Sequence, residues 1–268
     1  MFARSRRRLG GALIALAVLG PVLPSLASSQ AQSRLASVDG NDFSWPQCAK
    51  GVGNGQGQPL PLAHRLFMIV GLTNGTGLHE NPCLAAEWQY ARDHADHVSG
   101  YTVPTYPTRA ERHDARVGHF GTCHTLRCKL RNNGWAQGRY AVHSLRSLGA
   151  RSPMVWVDVE TRYHHPWTGH RWRNRLVVKT MISSLQRAGY RVGIYSTNYM
   201  WHHIVGYETT LPEWVPAAST TRGCYLPISH GPVWISQYGH YYKTRDEAYD
   251  ENGLCRRAPA LHRMFESV

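Results

Sequence analysis

Seven short apolar runs rich in Val, Ile, Tyr and Trp recur along the chain, and helical periodicity fills the gaps between the earlier ones. They are "VDGNDFSW" (38–45), "LFMIVGLT" (66–73), "HVSGYTV" (97–103), "MVWVDVE" (154–160), "RVGIYST" (191–197), "EWVPAA" (213–218) and "VWISQYG" (233–239). Runs of this length and composition read as strands. Three helices stand out between them. Asn81-Pro82 signals a helix start, with Leu84, Trp88 and Ala91 on one face after it. A second helix is expected from about Asn133 to Leu148, striped by Ala141 and Leu145 and ended by Gly149. A third is expected from about Trp172 to Ala188, with Val177, Met181 and Leu185 as its buried stripe and Gly189 after it. Strand–helix–strand alternation implies a parallel sheet with helices packed outside. Seven or eight such strands in a chain of 268 residues predict an α/β fold, a TIM-type (β/α) barrel. After residue 197 the connections are short and irregular, so helices should be reduced or missing in the second half.

The N-terminus is of a different kind. Arg4, Arg6, Arg7 and Arg8 precede an apolar stretch from Leu9 to Leu26, followed by small residues around Ala27 and Ala31. That order makes residues 1–31 an export signal, with either the general secretory or the twin-arginine route open. Pro21 and Pro24 interrupt the apolar stretch and argue against a retained membrane anchor. Residues 32–37 read as a linker, 38–258 as the barrel domain and 259–268 as a C-terminal tail.

Six cysteines suit an exported protein: Cys48, Cys83, Cys123, Cys128, Cys224 and Cys255. An even count in an oxidising compartment favours three disulfides over metal ligation or thiol catalysis, although the connectivity stays open. Cys123 with Cys128 would close a small local loop, leaving Cys48 with Cys83 and Cys224 with Cys255 as one set of staples. The net charge is +13, and only four of the thirty basic residues lie in the export segment. A basic exported protein should associate with anionic polymers such as wall glycans, or with lipid headgroups. Nucleic acid is not an expected partner, because the arginines are scattered and no binding motif is present.

The fourth run poses the chemical question. In "MVWVDVET" Val155, Val157 and Val159 share one strand face, and Met154, Trp156, Asp158 and Glu160 share the other. If the valines pack under helices, the two carboxylates point into the barrel at its C-terminal mouth, where barrel enzymes place their chemistry. Two carboxylates in one low-dielectric site push their pKa values apart, giving one acid and one anion. Glycosidic cleavage needs that pair. Other strand ends add to it: Asp42, Tyr195, Trp214, Gln237 and Tyr238, with Asp250 in the last segment. Carboxylates and amphipathic aromatics at several strand ends are what a sugar-binding mouth requires.

The motif order resembles glycoside hydrolase family 25, the lysozyme-type muramidases, and in particular exported actinobacterial proteins related to them. The matching residues are Asp42-Phe43-Ser44 with Gln47, Asp158-Val159-Glu160, Ile194-Tyr195-Ser196, a Trp-containing strand, Gln237-Tyr238 and the late Asp250. The phrases "DFSWPQC", "NPCLAAE" and "AGYRVGIYSTNYMWHHIVG" carry the likeness to the actinobacterial branch, and the resemblance spans about residues 40–255. It implies an eight-stranded barrel that hydrolyses the β-1,4 bond between N-acetylmuramic acid and N-acetylglucosamine. By position, Glu160 would be the general acid. Asp158 and Asp42 would orient or stabilise the reacting N-acetyl group or the developing cation. No metal or organic cofactor is implied, and the expected protein is a monomer with a cell-wall glycan as partner. Two strands depart from the family pattern. "VGLTNGTGLHENP" lacks the usual Lys and Glu-Gly turn, and "GYTVPTYP" leaves only Tyr101 to match the third strand's aromatic ending. An alternative therefore stands beside the hydrolase: a catalytically inactive, wall-associated glycan-binding protein on the same barrel.

Other chemistries find little support. His164, His165, His170, His202 and His203 cluster after two strands, but none has the helical pairing with a glutamate that a zinc protease uses. No G-x-S-x-G elbow exists for a serine nucleophile. Trp167 and Trp172 lie in the loop beyond Glu160, where packing on the barrel rim is favoured over stacking on sugar.

Overall fold

A computed structural model describes residues 39–61, 64–161, 166–217, 223–238 and 249–268. The expected export signal and linker lie outside these residues, as do His164 and His165. In chain order the elements are β1 (Gly40–Phe43), β2 (Arg65–Gly71), α1 (Leu84–His94), β3 (Ala95–Thr102), α2 (Arg109–Asp114), β4 (Val117–Gly118), β5 (Gly121–Thr122) and α3 (Leu126–Ser147). Then follow β6 (Met154–Asp158), α4 (Arg171–Arg187), β7 (Arg191–Tyr195), α5 (Asn198–Ile204), β8 (Glu213–Pro216), β9 (Val233–Tyr238), β10 (Asp250–Leu254) and β11 (Glu266–Ser267).

Eight of these strands close a barrel in the order β1–β2–β3–β6–β7–β8–β9–β10 and back to β1. Seven run parallel. The eighth, β10, runs antiparallel to both β9 and β1. The barrel expected from the sequence is thus present, with one strand reversed. Helices thin out as expected: α5, between β7 and β8, has only 7 residues.

Alternation along the strands builds two cores. Val155, Val157 and Val159 face outward with Met68, Val70 and Ile194, against Trp88, Leu145, Met181 and Leu185 of the helices. Phe67, Ile69, Met154, Trp156, Trp214 and Ile235 fill the interior. Each fully buried Val or Leu contributes about 1.5–3 kcal/mol of transfer free energy. Two glycines permit this packing. A Cβ on Gly193 would stand 2.3 Å from the Trp156 ring, so the β7 glycine makes room for the interior tryptophan. A Cβ on Gly134 would stand 2.3 Å from the Val177 carbonyl oxygen, so α3 and α4 meet almost backbone to backbone.

Residues 259–268, expected as a tail, join the barrel instead. Met264 and Phe265 are buried in the interior, with Phe265 4.8 Å from the Phe67 ring, and β11 pairs antiparallel with β3. These apolar side chains plug the end of the barrel where the strands begin. Three disulfides hold the loops: Cys48–Cys83, Cys123–Cys128 and Cys224–Cys255. Among the described residues no helix is long and apolar enough to cross a membrane.

Candidate active site

At the mouth, the C-terminal ends of the parallel strands surround a cavity of about 110 Å³. Asp42 comes from β1, Tyr101 from β3, Asp158 and Glu160 from β6 and its extension, Tyr195 from β7, Trp214 from β8, Gln237 from β9 and Asp250 from β10. Eight of the nine residues singled out in the sequence therefore meet in one place. The ninth, Tyr238, does not line the cavity. It follows Gln237 on a strand, so its side chain leaves the opposite face.

The D-x-E extension is held by its backbone. The Val159 N–H donates to the Tyr195 carbonyl at 2.9 Å, and Ser196 Oγ donates to the Val159 carbonyl at 2.7 Å. Trp167 Nε1 then donates to the Glu160 carbonyl at 2.8 Å, and its ring packs against the outer core. That tryptophan is a rim residue which fixes Glu160. Asp158 is buried, whereas Glu160 is partly open to solvent at the edge of the cavity.

Opposite this pair a chain of hydrogen bonds crosses five strands. Trp214 Nε1 donates to Asn252 Oδ1 at 2.8 Å, and Asn252 Nδ2 donates to Asp42 Oδ1 at 2.6 Å. Gln237 Nε2 donates to both Asp42 oxygens at 3.1 and 3.2 Å, and Tyr195 Oη donates to Gln237 Oε1 at 2.5 Å. Burial pushes the Asp42 carboxyl well above its usual range, and neighbouring Asp250 adds to this, while the Asn252 and Gln237 donors oppose it. Burial also raises Asp250. The Tyr195 phenol is pushed well up by burial and then by the Glu160 and Asp158 charges, so it stays a donor. The cavity thus joins acids whose proton affinity is raised by burial to the partly open Glu160, with aromatic faces between them. Tyr195 and Trp214 lie 4.6 Å apart between ring centres, and Tyr101 meets Trp214 edge-on at 6.1 Å.

Residues 106–216 match the family model described as lysozyme-like protein 1. The matched stretch holds Asp158, Glu160, Tyr195 and Trp214 of the cavity. Two curated relatives are similar over shorter spans. Lysozyme-like protein 5 of Caenorhabditis elegans is 29% identical over 30% of this chain and 38% of its own length. A probable GH family 25 lysozyme 4 of Dictyostelium discoideum is 33% identical over 38% of each chain. The chain therefore spans well under half the length of these relatives. Among solved structures, a glycosyl hydrolase 25 of Streptococcus pneumoniae, GHIP, superposes with a TM-score of 0.52 at 14% identity, over 88% of this chain and 96% of that one. The modular autolysin LytC of the same organism, solved with a synthetic peptidoglycan ligand, gives 0.50 at 12% identity, over 80% and 45%. At these identities the likeness is one of fold.

One site residue escapes the sequence reading. Asn252 is fully buried and links Asp42 to Trp214. Its signal is the two-residue spacing from Asp250, which becomes legible only once 250–254 is read as a strand.

Proposed function

We propose that the chain is a secreted glycoside hydrolase of lysozyme type. It cleaves β-1,4 bonds of peptidoglycan or a related N-acetylated wall glycan, as a monomer, with residues 1–31 as its export signal. The observation that carries this reading is the convergence of Asp42, Asp158, Glu160 and Asp250 on one aromatic-lined cavity at the barrel mouth. Glu160, partly open to solvent at the cavity edge, donates its proton to the leaving glycosidic oxygen. Asp158 lies deeper on the same strand face and stabilises the oxocarbenium-like centre or orients the sugar's acetamido group. Asp42, held by two amide donors, fixes the polar floor on which that group rests. Tyr101, Tyr195 and Trp214 supply faces for the sugar rings. None of these steps calls for a metal or organic cofactor. Three disulfides suit the oxidising compartment in which such a substrate is found.

A second reading keeps the groove without turnover. It is favoured by one observation: no residue of β2 or of the loop after it lines the cavity. That loop is engaged with itself, Thr76 Oγ1 donating to Asn74 Oδ1 at 3.0 Å. Release of new reducing ends from purified peptidoglycan decides between the two. The hydrolase reading expects release by the wild type and a loss of about 100-fold or more in Glu160→Gln, since general acid catalysis contributes about that much. A wild type that binds the wall and releases nothing would establish the second reading.

A further inference from the structure

The barrel end opposite the cavity carries a charge pattern that glycan cleavage leaves unused. Strands β6 and β7 start there, and helices α3 and α4 finish there. Arg146 and Arg187 belong to the last turns of those helices, where the helix dipole favours cations, so they have a local explanation. Arg151, Arg191 and Arg263 do not. Arg151 precedes β6, Arg191 opens β7 and Arg263 ends the short turn leading into the plug, and all three are exposed. Arg191 Nη1 reaches the Arg263 carbonyl at 3.5 Å, which brings two cationic residues alongside each other. An open cavity of about 310 Å³ adjoins them, with Arg151 and His262 in its wall. The carboxylate in that wall, Glu266, is buried and already engaged by Arg92 at 2.9 Å and by the Arg151 N–H. Among the described residues, none of the three arginines forms an ion pair.

Guanidinium groups gathered without carboxylates between them repel one another and attract multivalent anions. Their planar forks match phosphate oxygens. We propose that this closed end is a docking surface for an anionic polymer of repeating phosphodiester groups, contacted by Arg151, Arg191 and Arg263. It is separate from the glycan cavity at the other end. A polymer fits better than a membrane, because membrane binding calls for large apolar anchors beside the charges. The exposed Trp172 and Tyr199 stand instead at the starts of α4 and α5, on the mouth side; Tyr225 and Leu226 are exposed in the β8–β9 connection, and beside the plug Val268 is exposed.

The test uses the purified protein with inorganic polyphosphate as probe, polyglutamate as a carboxylate control, and graded salt. A triple variant, Arg151→Glu with Arg191→Glu and Arg263→Glu, is compared with Lys50→Glu, Arg109→Glu and Arg127→Glu, which changes the net charge equally elsewhere. The closed-end triple should lose about 10-fold or more in polyphosphate affinity with a shallower salt dependence, and the control about 3-fold or less. A neutral triple, with glutamine at the same three closed-end positions, should lose affinity in the same direction and guards against misfolding of the charge reversal. Equal losses in the two charge-reversed triples would overturn the proposal in favour of a diffuse field. Polyglutamate bound as tightly as polyphosphate, or binding to anionic phospholipid vesicles without binding to polyphosphate, would overturn it as well. Reducing-end release from unsubstituted glycan should be unchanged in every variant, so the result is independent of the hydrolase reading.

Discussion

Glu87, which does not line the cavity, provides a test of burial energetics. It sits on α1, 3% exposed, with Asn81 Nδ2 donating to its Oε2 at 2.6 Å and the Cys83 sulfur 3.1 Å from its Oε1. That sulfur is disulfide-bonded to Cys48, so it brings neither charge nor proton. Burial raises the carboxyl from an ordinary 4.5 to about 7, against the opposing pull of the Asn81 donor. Between these values the folded protein holds more protons here than the unfolded chain does. Stability is therefore greatest below pH 4.5 and falls as pH rises through 7. At about 1.4 kcal/mol for each pH unit between the two values, the loss is about 3 kcal/mol in full. Glu87→Gln keeps an acceptor for Asn81 and removes the charge. Urea unfolding should find the variant equal to the wild type near pH 4 and more stable by up to about 3 kcal/mol at pH 8. An equal difference at both pH values would show that packing, not ionisation, is responsible. No gain at pH 8 would refute the reasoning outright.

Two further substitutions probe the interior. Asn252→Ala strips the 2.6 Å donor from Asp42 and leaves the Trp214 indole N–H without its acceptor. Asp42 keeps its Gln237 donor, so one buried donor is left unsatisfied, and the cost should be about 1–3 kcal/mol in denaturant unfolding. Losing that donor also raises Asp42 further, so the acid limb of any pH–activity profile governed by Asp42 should move to higher pH. Gly193→Ala places a methyl group 2.3 Å from the Trp156 ring and should cost about 1–3 kcal/mol, read as a lowered midpoint of thermal unfolding.

The interior of the mouth was more legible in the sequence than its edges. Alternation in "MVWVDVE" is enough to send three valines out and two carboxylates in, because a one-residue slip would bury the wrong face. The same rule separates Gln237 from Tyr238, and there the aromatic character of the pair misleads. β10 was hidden because "DENGL" has the composition of a loop. It is a strand because β9 and β1 pair with it on both sides, and alternation turns Asp250 and Asn252 inward together. Helix α3 begins at Leu126, well before the expected Asn133, since Arg127, Lys129 and Arg131 show no apolar stripe. Its start is instead marked by Thr125, whose side chain accepts from the Cys128 N–H. In α1 the residue expected as cap, Asn81, serves a turn before the helix, accepting from Cys83 N–H at 3.2 Å.

The reversed β10 brings its first residue, Asp250, to the mouth, so a fourth acid joins a cavity that no lysine or arginine lines. In a protein of net charge +13, the charged side chains lining this cavity are all acids. Burial raises Asp42 and Asp250, so the four do not all carry charge in the empty site. On the proposed hydrolase reading, a neutral sugar would gain little from the carboxylate that stays ionised, whereas positive charge developing at the anomeric carbon would be attracted to it. The stabilisation would then be timed to the charged transition state, discriminating by the moment in the reaction as well as by the molecule bound.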